Sequence, residues 1–134
     1  GLMPRPIKYA TVGSHSLSAT ASVSGALVTD GSAGSATPGG RCRLASLECT
    51  VSGGTLGGNQ AVTLLYLAKD AAGLHPITNP ASVSKTGMAD SNASGFSVRL
   101  EQDAYIEGSV YAVAKLASGK SGTGVWKLTF VQGG

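Results

Sequence analysis

Side chains able to do chemistry are scarce in this chain. Charged residues make up only 13% of it and aromatics 5%, with two cysteines, two histidines and a single tryptophan. So few acids, bases and thiols leave little for acid–base, nucleophilic or metal catalysis, and no enzyme activity, cofactor or metal is expected. No run of about 18 apolar residues occurs, which excludes a membrane-spanning helix. The basic residues are scattered and have no interleaved aromatics. A net charge of +3 alone does not make a nucleic-acid surface, and none is expected.

What is present is β-sheet patterning. Positions 16–24 alternate apolar and hydroxyl residues without a fault, and similar runs recur to the C-terminus. A length of 134 residues with 42% hydrophobic content fits one domain, its interior filled by Val, Leu and Ala. The 20 glycines supply turns. No segment of useful length repeats every 3.6 residues. The fold class read from this is all-β: an antiparallel β-sandwich of about six to eight short strands, Ig-like or jelly-roll. It occupies residues 14–134, behind an extended N-terminal arm at 1–13 opened by Pro4 and Pro6. Positions 7–12 read as part of that arm or as a short edge strand.

Along the sandwich, the first strand is predicted at 17–28 and a surface loop at 30–40. The second strand, 41–52, changes phase, with Cys42 and Leu44 on one parity and Leu47, Cys49 and Val51 on the other. A bulge near Ala45 and Ser46 reconciles the two halves. Positions 53–59 read as a turn. Positions 61–69 are almost continuously apolar, as in a central strand covered on both faces by loops or by a partner. A short strand is placed at 81–85, and others at 95–102, 108–116 and 124–132. The last two are predicted to form a hairpin through a Gly-rich loop.

Each candidate for chemistry has a plainer reading. Gly119-Lys120-Ser121 matches part of a phosphate-binding loop, but that loop needs Gly where Ala114 stands and a helix where a strand follows. It is read as a turn tip. His15 and His75 lack ligands at metal spacing and are read as surface residues. Ser14 and Ser16, next to His15, point to the opposite face, so they do not form a nucleophile–base pair. Glu101, Asp103 and Glu107 make the one acidic cluster, read as a solvated loop. Cys42 and Cys49 would sit over ~20 Å apart on one extended strand, whereas a disulfide needs Cα atoms about 5–6 Å apart, so both are read as buried free thiols. Asn92-Ala93-Ser94 is a glycosylation sequon that matters only in a secreted chain. Gly1-Leu2 ahead of Met3 reads as a cloning remnant, and no signal-peptide core follows, although a mature form lacking its leader reads the same way.

Two resemblances follow. Tyr105, just before a strand, is similar to the tyrosine corner of immunoglobulin-like sandwiches, and 95–130 resembles the last three strands of a fibronectin-III or Ig-like domain. Taken whole, with its arm, its Ala/Gly/Ser/Thr-rich strands and its lack of chemistry, the chain resembles the small all-β virion proteins of tailed phages, particularly capsid decoration (cement) proteins. That resemblance implies a virion protein made in the host cytoplasm that binds the major capsid protein or other virion proteins. It also implies a homo-oligomer, with a trimer favoured, and no membrane. The arm's Arg5, Ile7, Lys8 and Tyr9 are the expected assembly contacts, adding a strand to a neighbour's sheet edge. The alternative is a carbohydrate- or receptor-binding sandwich of a phage tail or secreted adhesin. Its sugar-stacking aromatics would come from Tyr9, Tyr66, Tyr105, Tyr111 and Trp126.

Overall fold

The structure, a computed structural model, describes residues 7–27, 42–55, 60–85, 96–106 and 109–132. Within them the chain forms eight strands and no helix: β1 (Ile7–Leu17), β2 (Ser22–Leu27), β3 (Cys42–Thr55), β4 (Gln60–Ala68), β5 (Ala81–Lys85), β6 (Phe96–Ile106), β7 (Val110–Leu116) and β8 (Ser121–Gln132). They build two four-stranded sheets, ordered β1-β8-β3-β6 and β2-β7-β4-β5, and every pairing is antiparallel. Strands 1 and 8, 2 and 7, 3 and 6, and 4 and 5 lie side by side, as if one long hairpin had been rolled up. This strand order is that of a jelly roll.

The topology corrects several expectations. The last three strands are not Ig-like. β7 pairs with β2 and β4 while β8 pairs with β1 and β3, so the turn at 117–120 carries the chain between sheets and closes no hairpin. A Gly-rich turn between alternating strands looks the same in either case. The faultless alternation at 16–24 is likewise no single strand. β1 stops at Leu17, and residues 18–21 turn the corner into β2 of the other sheet. Ser18 Oγ accepts from the Thr20 N–H at 3.2 Å, and the Ser18 carbonyl accepts from Leu116 N–H at 2.8 Å, so the corner's polar groups are satisfied locally.

Residues 7–13 do not extend away from the sandwich. They pair along β8 in unbroken register, from Ile7 opposite Gln132 to Gly13 opposite Trp126, because the ladder satisfies backbone groups that an isolated arm would leave to water. Of the two readings of this segment the edge strand is the observed one. Residues 1–6, with Arg5, lie outside the described residues.

Other expectations hold. Both ladders of β3 shift register between Leu44 and Ser46, where the phase change demanded a bulge. β5 has the predicted bounds, and β4 is an interior strand of its sheet. The expected turn at 53–59 begins later, since 53–55 belong to β3 and 56–59 lie outside the described residues, as does the loop at 30–40.

The core between the sheets is aliphatic, with Leu44, Leu47, Leu65, Leu67 and Leu128 all but fully buried around Trp126. Each such leucine contributes about 1.5–3 kcal/mol by leaving water. Core and close approach are coupled at Gly124, where a Cβ would lie 2.7 Å from Leu17 Cδ1.

At its Tyr66 and Ala68 end, the outer face of β4 is covered by the chain itself. Gly73, in the β4–β5 connection, is buried, and a Cβ there would lie 3.0 Å from Val113 Cγ2 and 3.1 Å from Val23 Cγ2. Tyr66 donates its hydroxyl hydrogen to the Gly73 carbonyl at 2.6 Å. Inside the loop, the Asp70 carboxylate accepts from the N–H groups of Leu74 and His75 at 2.9 and 2.8 Å. The Leu74 N–H above all, then the N–H and ring of His75, hold the Asp70 carboxyl below its ordinary range, while burial opposes them. The loop is a lid fastened at both ends, since Lys69 N–H donates to the His75 carbonyl and Ile77 N–H to the Leu67 carbonyl.

Candidate functional site

Histidine 15 links polar side chains of both sheets, and it is not the surface residue expected from its flanking serines. On β1 it shares the inward face with Leu17, and it is half-buried. Its ring stacks on that of Trp126, centroids 6.2 Å apart and planes 27° from parallel. An indole N–H only donates, so at 2.9 Å the Trp126 Nε1–H requires His15 Nε2 to be an unprotonated acceptor. The ring proton therefore resides on Nδ1, which donates to Ser22 Oγ at 2.9 Å, and Ser22 in turn donates to the Ser16 carbonyl at 2.9 Å. Strands of both sheets are thus linked at the corner. The nitrogen facing Ser22 already carries its proton, so this geometry does not make His15 a base for that hydroxyl.

Burial holds the His15 pKa below the ordinary 6.5, and a second ring proton would point at the indole N–H. With the folded pKa below the unfolded one, the unfolded chain binds the extra proton more readily. The stability due to neutral His15 is fully present above about pH 6.5 and is lost as pH falls toward the folded value. Urea unfolding midpoints are therefore expected to drop between pH 7.5 and pH 5, and the drop to shrink in His15→Gln. An equal drop in the variant would exclude His15 as its source.

The acidic cluster lies on strand β6, not in a loop. Glu101 and Asp103 are exposed, and each has an arginine partner: Arg99 Nε at 3.2 Å from Glu101 and Arg43 at 3.7 Å from Asp103. Such surface pairs contribute about 0–1 kcal/mol. Together they make a mixed row of balanced charge, and Glu107 lies outside the described residues. Among the described residues, no three His, Cys, Asp or Glu side chains are grouped to hold a metal.

Beside this row the edge strand is irregular. From Leu44 to Leu47, three steps on β3, β6 takes four, from Ala104 to Leu100. The extra residue falls among 101–104, and an open cleft of about 400 Å³ lies there between 101–104 and the segment Ile77, Thr78 and Asn79. Of the aromatics considered for sugar stacking, Trp126 is buried and Tyr66 and Tyr111 are half-buried, but Tyr105 is 62% exposed and adjoins this cleft in sequence. Its exposure is unlike that of a corner tyrosine packed into a sandwich.

The expected assembly residues Ile7, Lys8 and Tyr9 lie on β1 opposite Gln132, Val131 and Phe130. Burial pushes the Cys49 thiol up to about 12, so it stays protonated and inert, and it is a free cysteine as expected. The side chain of Cys42 lies outside the described residues. Ser118 and Gly119 form a turn between β7 and β8, with Gly119 at φ 77° and no helix after it, as the turn-tip reading requires. The sequence reading missed the His15 group, although its signal was available: His15 has the same parity as Leu17. No family model matches this chain, and no curated protein matches it in sequence.

Proposed function

We propose that this protein is a non-enzymatic structural component of a virion, a capsid decoration or cement protein that binds the major capsid protein of a tailed phage. The observation that carries this reading is β1, an 11-residue edge strand whose register with β8 has no bulge. Among the described residues no strand pairs with its other side. A long regular edge is a template on which a neighbouring chain can add a strand, and natural folds commonly blunt such edges. The jelly roll supports the reading only as a fold that viral capsid and lectin domains share.

In this reading Arg5, Ile7, Lys8 and Tyr9 contact a neighbouring subunit, and the protein assembles as a homotrimer. Because β1 belongs to the sheet, truncation separates assembly from folding. Deleting residues 1–6 is expected to keep the unfolding midpoint and weaken self-association in light scattering. Deleting 1–12 removes six of the eleven β1 residues and is expected to lower the midpoint as well. A monomeric full-length chain, or association unchanged in both truncations, would remove the support for this role.

A further inference from the structure

We propose that the cleft beside the β6 bulge is a subsite for a neutral sugar, with Tyr105 as its stacking face. At about 400 Å³ the cleft falls within the size range of small-ligand sites. Its lining is mostly polar, however, with Asn79 and Gln102 offering amides and Glu101 and Asp103 offering carboxylate acceptors. That composition suits a ligand covered in hydroxyls. The carboxylates are balanced by Arg99 and Arg43, which favours an uncharged polyol over a cation. Hydroxyl pairs of a hexose match carboxylates that accept and amides that both accept and donate.

Geometry adds the apolar half of sugar recognition. Tyr105 shares the outward parity of Glu101 and Asp103 on β6, about 7 Å along the strand from Asp103. Its exposed ring can take the C–H face of a pyranose whose hydroxyls enter the cleft. The bulge lies at the site, since the extra residue of β6 falls among 101–104, next to the 77–79 segment. This inference is independent of the assembly reading, as it uses the opposite edge of the sheet from β1.

The test is saturation-transfer NMR and calorimetry on the full chain with lactose, mannobiose, cellobiose and chitobiose. At least one is expected to bind with a Kd of about 1 mM. Tyr105→Ala should weaken that binding at least tenfold and Asn79→Ala should weaken it as well, while Tyr105→Phe should keep it. Circular dichroism of the three variants is expected to match the parent, since both positions are exposed. No saturation transfer from any of the four sugars would overturn the proposal, as would binding that Tyr105→Ala leaves unchanged.

Discussion

Replacing Trp126 with alanine is expected to destabilise the fold by about 3–5 kcal/mol, the largest effect of any single substitution considered for this protein. Trp126 is completely buried, and its ring is the largest fully buried side chain in a core built mostly from leucine, valine and alanine. Removing it leaves a cavity that the surrounding strands cannot close, because β8 is held between β1 and β3. The loss also takes away the donor to His15 Nε2. Trp126→Phe separates the two contributions. It keeps most of the ring volume and removes the N–H, for an expected cost of about 1–2 kcal/mol. In that variant His15 gains a proton more readily, which brings its folded pKa nearer the unfolded one, so the loss of stability on acidification should be smaller than in the parent. Trp126 is the only tryptophan, so unfolding of both variants must be followed by circular dichroism. Parent-like stability of Trp126→Ala would show that the sandwich does not depend on this ring.

The second large effect is expected at Gly73. Its φ of 73° lies in the left-handed region, which a β-branched residue adopts only under strain. Its Cβ position is also closed by Val113 and Val23. Gly73→Val therefore combines backbone strain with overpacking, and about 2–4 kcal/mol is the expected loss. The lid should lift from the outer face of β4 and expose Val113 and Tyr66 to an apolar dye. Gly119→Ala is the control: φ is similar at 77°, but nothing lies within 4 Å of the added Cβ. It should cost only about 1 kcal/mol and bind no dye. Equal losses at the two glycines would mean that the lid's packing contributes nothing.

The lid bears on how far β4 could be read from its residues. Near-continuous apolar character correctly predicted an interior strand, and at Tyr66 and Ala68 its second face is covered. It did not say by what. A partner subunit and the chain's own loop at 70–76 satisfy the same pattern, since burial depends on the presence of a cover and not on its source. The bulge in β3 was legible because a change of parity within one strand has a local remedy. The strand at 81–85 was legible because turn residues bound it on its N-terminal side.

The His15 group was half legible. Parity with Leu17 places His15 on the inward face, yet its partner Trp126 is 111 residues away and no spacing rule connects them. The cleft beside β6 was less legible still. It depends on one extra residue in a strand whose alternation continues unbroken through the bulge, so the sequence there shows no irregularity.

Local patterning alone settles that this chain is all-β, that its interior is aliphatic, where β3 must kink, and that charged chemistry is sparse. Those properties follow from side-chain periodicity and composition, which act within a strand. Pairing does not. A period of two is the same whichever sheet a strand joins, so the alternation at 16–24 could not reveal a corner between sheets, nor the final strands their separation into two layers. The jelly-roll order, the edge position of β1, the lid over β4 and the His15–Trp126 contact were decided only when distant strands met. There the hydrogen-bond ladders and the shape of the core select one arrangement among several with identical local patterns.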